Sequence, residues 1–225
     1  MDDLVGLIDL APTFLEIAGI YEAPEMTGKS LTQILDSERQ GFVDKNRKYV
    51  LTGRERHTHA RPDNLGYPAR AIRTADYLYV RNFKPERWPA GDPAPISSKD
   101  KKPTRGFKAL WPGYHDVDGS PSKIFLLENE NQFSESFELA FSKRPAEQLY
   151  DIKKDPDCVN NIAEDKIYEE VKKELSQLLE AELKKQGDPR IMGNGDIFDS
   201  YPRISSMREF SGFKERGKYN PAFQK

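Results

Sequence analysis

Apolar residues fall in short runs along the chain, and the spacing of those runs predicts a limited set of elements. Leu4 to Ile8 is a compact apolar run. Asp9 to Thr13 reads as a helix start with Pro12 in the first turn, where its missing N–H is no loss. Leu15 and Ala18 continue that helix, and Gly19 ends it at the left-handed C′ position. An opening in mid-core, without a polar lead-in, predicts a piece of something longer. Ser30 to Leu35 reads as a short helix that Ser30 could cap, and Arg47 to Thr52 as a strand. Ala69 to Arg73 and Tyr77 to Arg81 predict a hairpin turning at Thr74-Ala75-Asp76. Tyr77 and Tyr79 alternate there with Leu78 and Val80, as a half-buried strand requires. From Lys84 to Ser122 seven prolines forbid long regular elements, while Trp88, Phe107, Trp111 and Tyr114 predict a loop pinned onto a surface. Lys123 to Leu127 reads as a strand or the start of a helix, Gln132 to Phe141 as a helix, and Gln148 to Ile152 as a strand turned by Asp155-Pro156-Asp157. The clearest helix is Asp165 to Gln186. Ile167, Val171, Leu175, Leu178, Leu179 and Leu183 make one apolar stripe, Asp165 can cap it, and Gly187 and Pro189 stop it. The tail beyond Arg190 lacks periodicity and is expected to wrap over the domain.

Between the strand at 47–52 and the hairpin lies the stretch richest in chemistry. It carries Arg54, Glu55, Arg56, His57, His59, Arg61, Asp63 and Asn64, with Arg70 just inside the hairpin. So many guanidinium groups and hydrogen-bond donors suit recognition of an anion, because arginine can clamp a carboxylate or sulfate bidentately. The stretch offers almost nothing for unaided catalysis. Two imidazoles at His57 and His59, beside Asp63, are a sparse ligand set, so a metal site is not expected. Cys158 is the single cysteine, which rules out an internal disulfide, and no base stands near it in sequence. Over 225 residues the formal net charge is -2, so no global basic field points to nucleic acid or an anionic membrane. No apolar run approaches the roughly 18 residues of a membrane helix.

Three stretches together resemble the sulfatase family in its C-terminal portion. Asp3 to Gly19 is similar to the pattern D-L-V-x-L-I-D-L-x-P-T-x-L-x-x-A-G, with Met26 to Leu31 similar to the M-x-G-x-S-L that comes after. Tyr67 to Arg73 is similar to the R-A-x-R strand that opens the small C-terminal subdomain. Glu147 to Pro156, followed by Asn160-Asn161-Ile162-Ala163, resembles E-x-L-Y-D-L-x-x-D-P-x-E-x-x-N-L-A and departs from it at Cys158, where an acid is usual. The resemblance runs from Asp3 to about Gly187, and the surroundings of Tyr67 to Arg70 lean toward the heparan N-sulfatase-like and related polysaccharide-acting branch.

The resemblance implies an α/β fold. Residues 1–52 would be the last elements of a large alkaline-phosphatase-like α/β domain, and residues 53–225 a C-terminal subdomain with a small antiparallel sheet packed by a C-terminal helix. It implies hydrolysis of sulfate esters or sulfamates, of sulfated glycans in particular, with Ca²⁺ and a formylglycine made from Cys or Ser in C/S-x-P-S-R. That motif is absent: Cys158 precedes Val159-Asn160-Asn161, and Ser200-Tyr201-Pro202-Arg203 has the wrong spacing. The expectation is a chain without catalytic or metal residues of its own, partnered by a missing N-terminal catalytic half. Arg54, Glu55, His57, His59, Arg61, Asn64 and Arg70 would line the substrate pocket, though the same charges could instead form a solvated face of intradomain ion pairs. The family's usual setting implies a periplasmic or secreted enzyme. The alternative is a stand-alone, non-catalytic module that binds sulfated or acidic glycans.

Overall fold

The computed structural model describes residues 1–21, 25–58, 60–61, 65–93 and 113–201. Phe107, Trp111 and the end of the tail therefore lie outside the described residues. Four strands, β1 (Val50–Arg54), β2 (Ala69–Arg73), β3 (Tyr77–Asn82) and β4 (Glu147–Asp151), form one sheet in that order. The sheet is antiparallel, as expected. The helices are α1 (Leu10–Ile17), α2 (Thr32–Leu35), α3 (Pro121–Glu128), α4 (Ser134–Phe141) and α5 (Glu169–Lys185).

Two expectations change. Lys123 to Leu127 is helical, because Ser120 caps α3 by accepting the Lys123 N–H at 3.1 Å and Pro121 presets the first turn. Ile167 leaves the apolar stripe: it sits in a 3-10 turn, Lys166–Tyr168, whose tighter winding puts it out of phase and leaves it exposed. Leu175, Leu179 and Leu183 keep the stripe buried. Gly187, at φ 68°, ends α5 with Asp188 N–H donating back to Leu183 O at 2.9 Å, the left-handed stop anticipated at this position.

The chain divides into two compact units. The first comprises Met1–Thr52, Arg70–Val80 and Leu149–Leu175. Here the resembling motifs are joined by hydrogen bonds. Asp9, buried, accepts from Gly6 N–H at 2.9 Å, Lys29 N–H at 2.8 Å and Arg47 Nη1 at 2.8 Å. Thr13 Oγ1 accepts from Leu31 N–H at 2.9 Å, so the Asp3–Gly19 stretch holds Met26–Leu31 through Asp9 and Thr13. The approach is close enough that a Cβ on Gly28 would stand 2.0 Å from Ile8 O. In the third motif, Leu149 N–H donates to Asn161 Oδ1 and Leu149 O accepts from Ile162 N–H, both at 2.9 Å. The opening segment leaves an apolar face uncovered among the described residues. Leu10, Phe14 and Ile17 recur at three and four residues along one side of α1, and Leu7 (87% exposed) and Tyr21 (80% exposed) flank that helix.

The second unit comprises the described residues of Gly53–Ala69, Arg81–Gln148 and the chain from Ser176 onward. Its core is aromatic: Ala90, Tyr114, Phe137 and Phe141, with Trp88, Val117, Leu126 and Leu127 packed around them. Tyr114 is central, with ring centroids 4.9 Å from Phe141, 6.0 Å from Trp88 and 6.1 Å from Phe137. Trp88 and Tyr114 thus do pin the proline-rich stretch.

Candidate functional site

The described residues of the stretch between β1 and β2, the central loop, lie in the second unit and are gathered by a residue from the proline-rich stretch. One backbone bond joins the two, Asp92 N–H donating to Ala60 O at 2.8 Å, and two more fold the stretch onto itself beside it: Tyr114 N–H donates to Asp92 O at 2.8 Å and Asp116 N–H to Ala90 O at 3.0 Å. The crossing is tight. Gly91, at φ 96°, would place a Cβ 2.9 Å from both Ala60 Cβ and His115 N, so only glycine satisfies both the backbone conformation and the space.

That crossing delivers Asp116, whose side chain is 1% exposed, to the underside of the loop. Arg61 Nη2 donates to Asp116 Oδ2 at 2.6 Å, Arg54 Nη2 stands 2.6 Å from the same oxygen, and His57 Nδ1 lies 3.1 Å from Oδ1. Arg61 is buried as well and donates to Trp88 O and Pro89 O, each at 2.7 Å. Burial pulls its guanidinium below its ordinary value, and Asp116 opposes that pull. Its cation sits 5.6 Å from the ring centroid of buried Tyr67, whose phenol burial pushes up to about 12, so that hydroxyl stays protonated. One carboxylate thus serves two guanidinium groups and an imidazole. Arg54 (45% exposed) and His57 (48% exposed) reach the surface, while Arg61 stays beneath.

The other expected residues are distributed differently. Arg54 is the last residue of β1 rather than part of the loop. Glu55 is held by Arg190, with Arg190 Nη2 donating to Glu55 Oε2 at 2.7 Å. Arg70 is buried on β2. His59 and Asn64 lie outside the described residues. Among the described residues no group of three or more His, Cys, Asp or Glu side chains is placed to hold a metal ion. Burial, with Asp155 beside it, pushes the Cys158 thiol up, which lowers its thiolate fraction. The arrangement suits binding and orienting an anion. Sequence reasoning missed Asp116 because its only local signal was an aspartate in a turn after Gly113.

The turn that presents Asp116 depends on a buried cation. Lys123 Nζ donates to Tyr114 O at 2.8 Å, Val117 O at 2.9 Å and Gly113 O at 3.4 Å. Burial lowers the lysine pKa, with Asp118 acting against it. Lys123→Met keeps the stem but leaves these carbonyls without their donor, so it should destabilise the fold by about 2–3 kcal/mol. A denaturant midpoint equal to that of the unsubstituted chain would show that water replaces the ammonium.

No family model matches the chain. It is 27% identical over 187 residues to an ulvan-active sulfatase of Formosa agariphila, a match that covers 83% of this chain and 30% of the relative. A second ulvan-active sulfatase of that organism is 27% identical over 183 residues, covering 79% of this chain and 26% of the relative. The chain therefore spans less than a third of the length of these curated relatives. Among solved structures, BT4656, in complex with its substrate D-glucosamine-2-N,6-O-disulfate, overlaps at a TM-score of 0.45 and 23% identity, covering 81% of this chain and 25% of that one. BT1596, a 2-O GAG sulfatase, overlaps at a TM-score of 0.45 and 20% identity, covering 80% of this chain and 25% of that one.

Proposed function

We propose, for a chain that is related to the sulfatases and carries the sequence pattern of their C-terminal portion, that it is the pocket-shaping part of an enzyme hydrolysing sulfate esters or sulfamates of sulfated glycans. The observation that carries this reading is the pair Arg54 and His57, half-exposed and anchored on buried Asp116. An anionic sugar substituent would meet preorganised positive charge there, with little side-chain entropy left to lose. Arg54, at the end of β1, and His57, in the loop, are the proposed contacts, together with His59 and Asn64. Arg61 and Glu55 hold the loop from within.

Catalysis would come from an N-terminal half, with its Ca²⁺ and formylglycine, and no group of the described residues fits that ion. The exposed apolar residues Leu7, Leu10, Phe14, Ile17 and Tyr21 are the surface on which that half would dock. This exposed stripe favours a part of a larger enzyme over a stand-alone glycan-binding module. A net charge of -2 argues against nucleic acid as a partner. The proposed location is periplasmic or secreted; among the described residues no helix is long and apolar enough to cross a membrane.

The test is titration of the purified chain with a heparin hexasaccharide as the sulfated probe. Binding should weaken with added salt, and Arg54→Ala or His57→Ala should weaken it about tenfold, the size of one charge-assisted hydrogen bond. Binding indifferent to salt and to both substitutions would overturn the pocket role. Metal-dependent sulfate release by the chain alone would overturn the assignment of catalysis to another half.

A further inference from the structure

The segment beyond α5 returns to the central loop and holds its neck. Glu55 O accepts from Tyr67 N–H at 2.7 Å, which brings the two ends of the loop together. On one side of this neck, Arg190, almost completely buried, donates through Nη2 to Glu55 Oε2 at 2.7 Å and through Nε to the two carboxylate oxygens at 3.2 and 3.3 Å. Its Nη1 donates to Asp196 Oδ1 at 3.1 Å, and its Cζ lies 5.5 Å from the ring centroid of Phe198. On the other side, Gly66 N–H donates to Asp199 Oδ1 at 2.9 Å, while Arg87 Nη1 donates to Asp199 Oδ2 at 3.0 Å and to Gly66 O at 2.9 Å. Arg56 Nη2 adds a bond to Tyr201 O at 3.0 Å.

Two glycines show how close this approach is. A Cβ on Gly66 would stand 2.5 Å from Glu55 O, and one on Gly195 would stand 2.4 Å from Arg190 Cδ and 2.8 Å from its Cα. Lys84, Arg87 and Arg190 meet Glu55, Asp196 and Asp199 in ion pairs, three cations to three anions.

We infer that Arg190 to Tyr201 is a clamp on the neck of the central loop, with Arg190 and Asp199 as positioning residues that set the pose of Arg54 and His57. Glu55 belongs to this clamp and touches the chain rather than the ligand. Fixing both ends of a loop removes much of its conformational freedom, so the clamp narrows the poses in which Arg54 and His57 meet an anion. Its effect on ligand binding rests on the proposed role of the loop in glycan recognition; its effect on loop order does not.

Amide hydrogen exchange on the full chain tests it. Arg190→Ala should speed exchange across residues 55–67 at least about tenfold, matching the loss of a charge-assisted bidentate bond, and leave α5 protected. Arg190→Lys, which keeps a charged contact without the fork, should fall between. Glu55→Gln alters the more exposed partner and should reproduce the effect even where Arg190→Ala fails to fold. Unchanged exchange at 55–67 in the folded variants, or an equal rise across α5, overturns the clamp. In parallel, Arg190→Ala should weaken binding of the heparin hexasaccharide. Local acceleration at 55–67 with no hexasaccharide binding even by the unsubstituted chain would uphold the clamp and overturn the glycan reading.

Discussion

Asp116→Ala should be among the most damaging single substitutions in this chain, destabilising the fold by about 3–5 kcal/mol, the usual consequence of removing one partner from a buried ion pair. The carboxylate is the shared acceptor of Arg54 and Arg61 and lies against His57, and Arg61 is itself buried. Without Asp116, Arg61 keeps only the Trp88 and Pro89 carbonyls against the penalty of an interior charge. The double variant Asp116→Ala/Arg61→Met should recover part of the loss, since it removes the uncompensated cation; failure to recover any would locate the damage in packing instead. Arg54 and His57 would lose their common anchor, so hexasaccharide affinity should fall more than with either of their own alanine variants. Denaturant titration followed by near-ultraviolet circular dichroism reads the change through the Trp88–Tyr114 contact. An unaltered midpoint would show that the cluster contributes nothing to stability.

Asp9→Ala is expected to cost a comparable amount in the first unit, again about 3–5 kcal/mol, because Arg47 is buried beside it and the Gly6 and Lys29 amides lose their acceptor. This site also carries a pH signature. Burial by itself would raise the Asp9 pKa, but the Gly6 and Lys29 N–H groups and the Arg47 guanidinium outweigh it and hold the carboxyl below its usual 3.8. The sign follows from which state binds the proton first. As pH falls below about 3.8 the unfolded chain takes up the proton while the folded chain resists, so the stabilisation from Asp9, fully present above 3.8, is lost as pH falls through the lower folded value. Asp9→Asn should therefore be less stable at neutral pH and should flatten the acid side of the stability curve relative to the parent. Parallel acid curves for the two proteins would show that Asp9 titrates alike in both states.

Much of the local structure was legible in the sequence. The β2–β3 hairpin, α5 and the left-handed ends at Gly19 and Gly187 each rest on contacts within a few residues, where periodicity and glycine's freedom at positive φ carry the information. The α3 segment was ambiguous because five apolar-rich residues suit either a strand or a helix, and the decision came from the Ser120 cap and Pro121 just outside the run. Ile167 was misplaced because a single 3-10 turn shifts the phase of a helical pattern. Of the site, the cationic loop and the candidates Arg54 and His57 were visible as composition. Their division of labour from Glu55 and Arg61 was not, since a carboxylate or guanidinium reads the same in sequence whether it faces a ligand or a buried partner.

The sequence by itself determined most of the elements, the motif pattern shared with sulfatases, the chemical bias of the loop toward anions, and the apolar character of the opening segment. Only the tertiary structure decided that this apolar side stays exposed among the described residues. It alone brought Asp116 beneath Arg61, 55 residues away in sequence, and Arg190 onto Glu55, 135 residues away. The physical reason is that capping, turns and amphipathic periodicity are written in neighbouring residues. The pairing of buried charges is settled instead by which distant segments the packed core and its backbone crossings bring within hydrogen-bond reach.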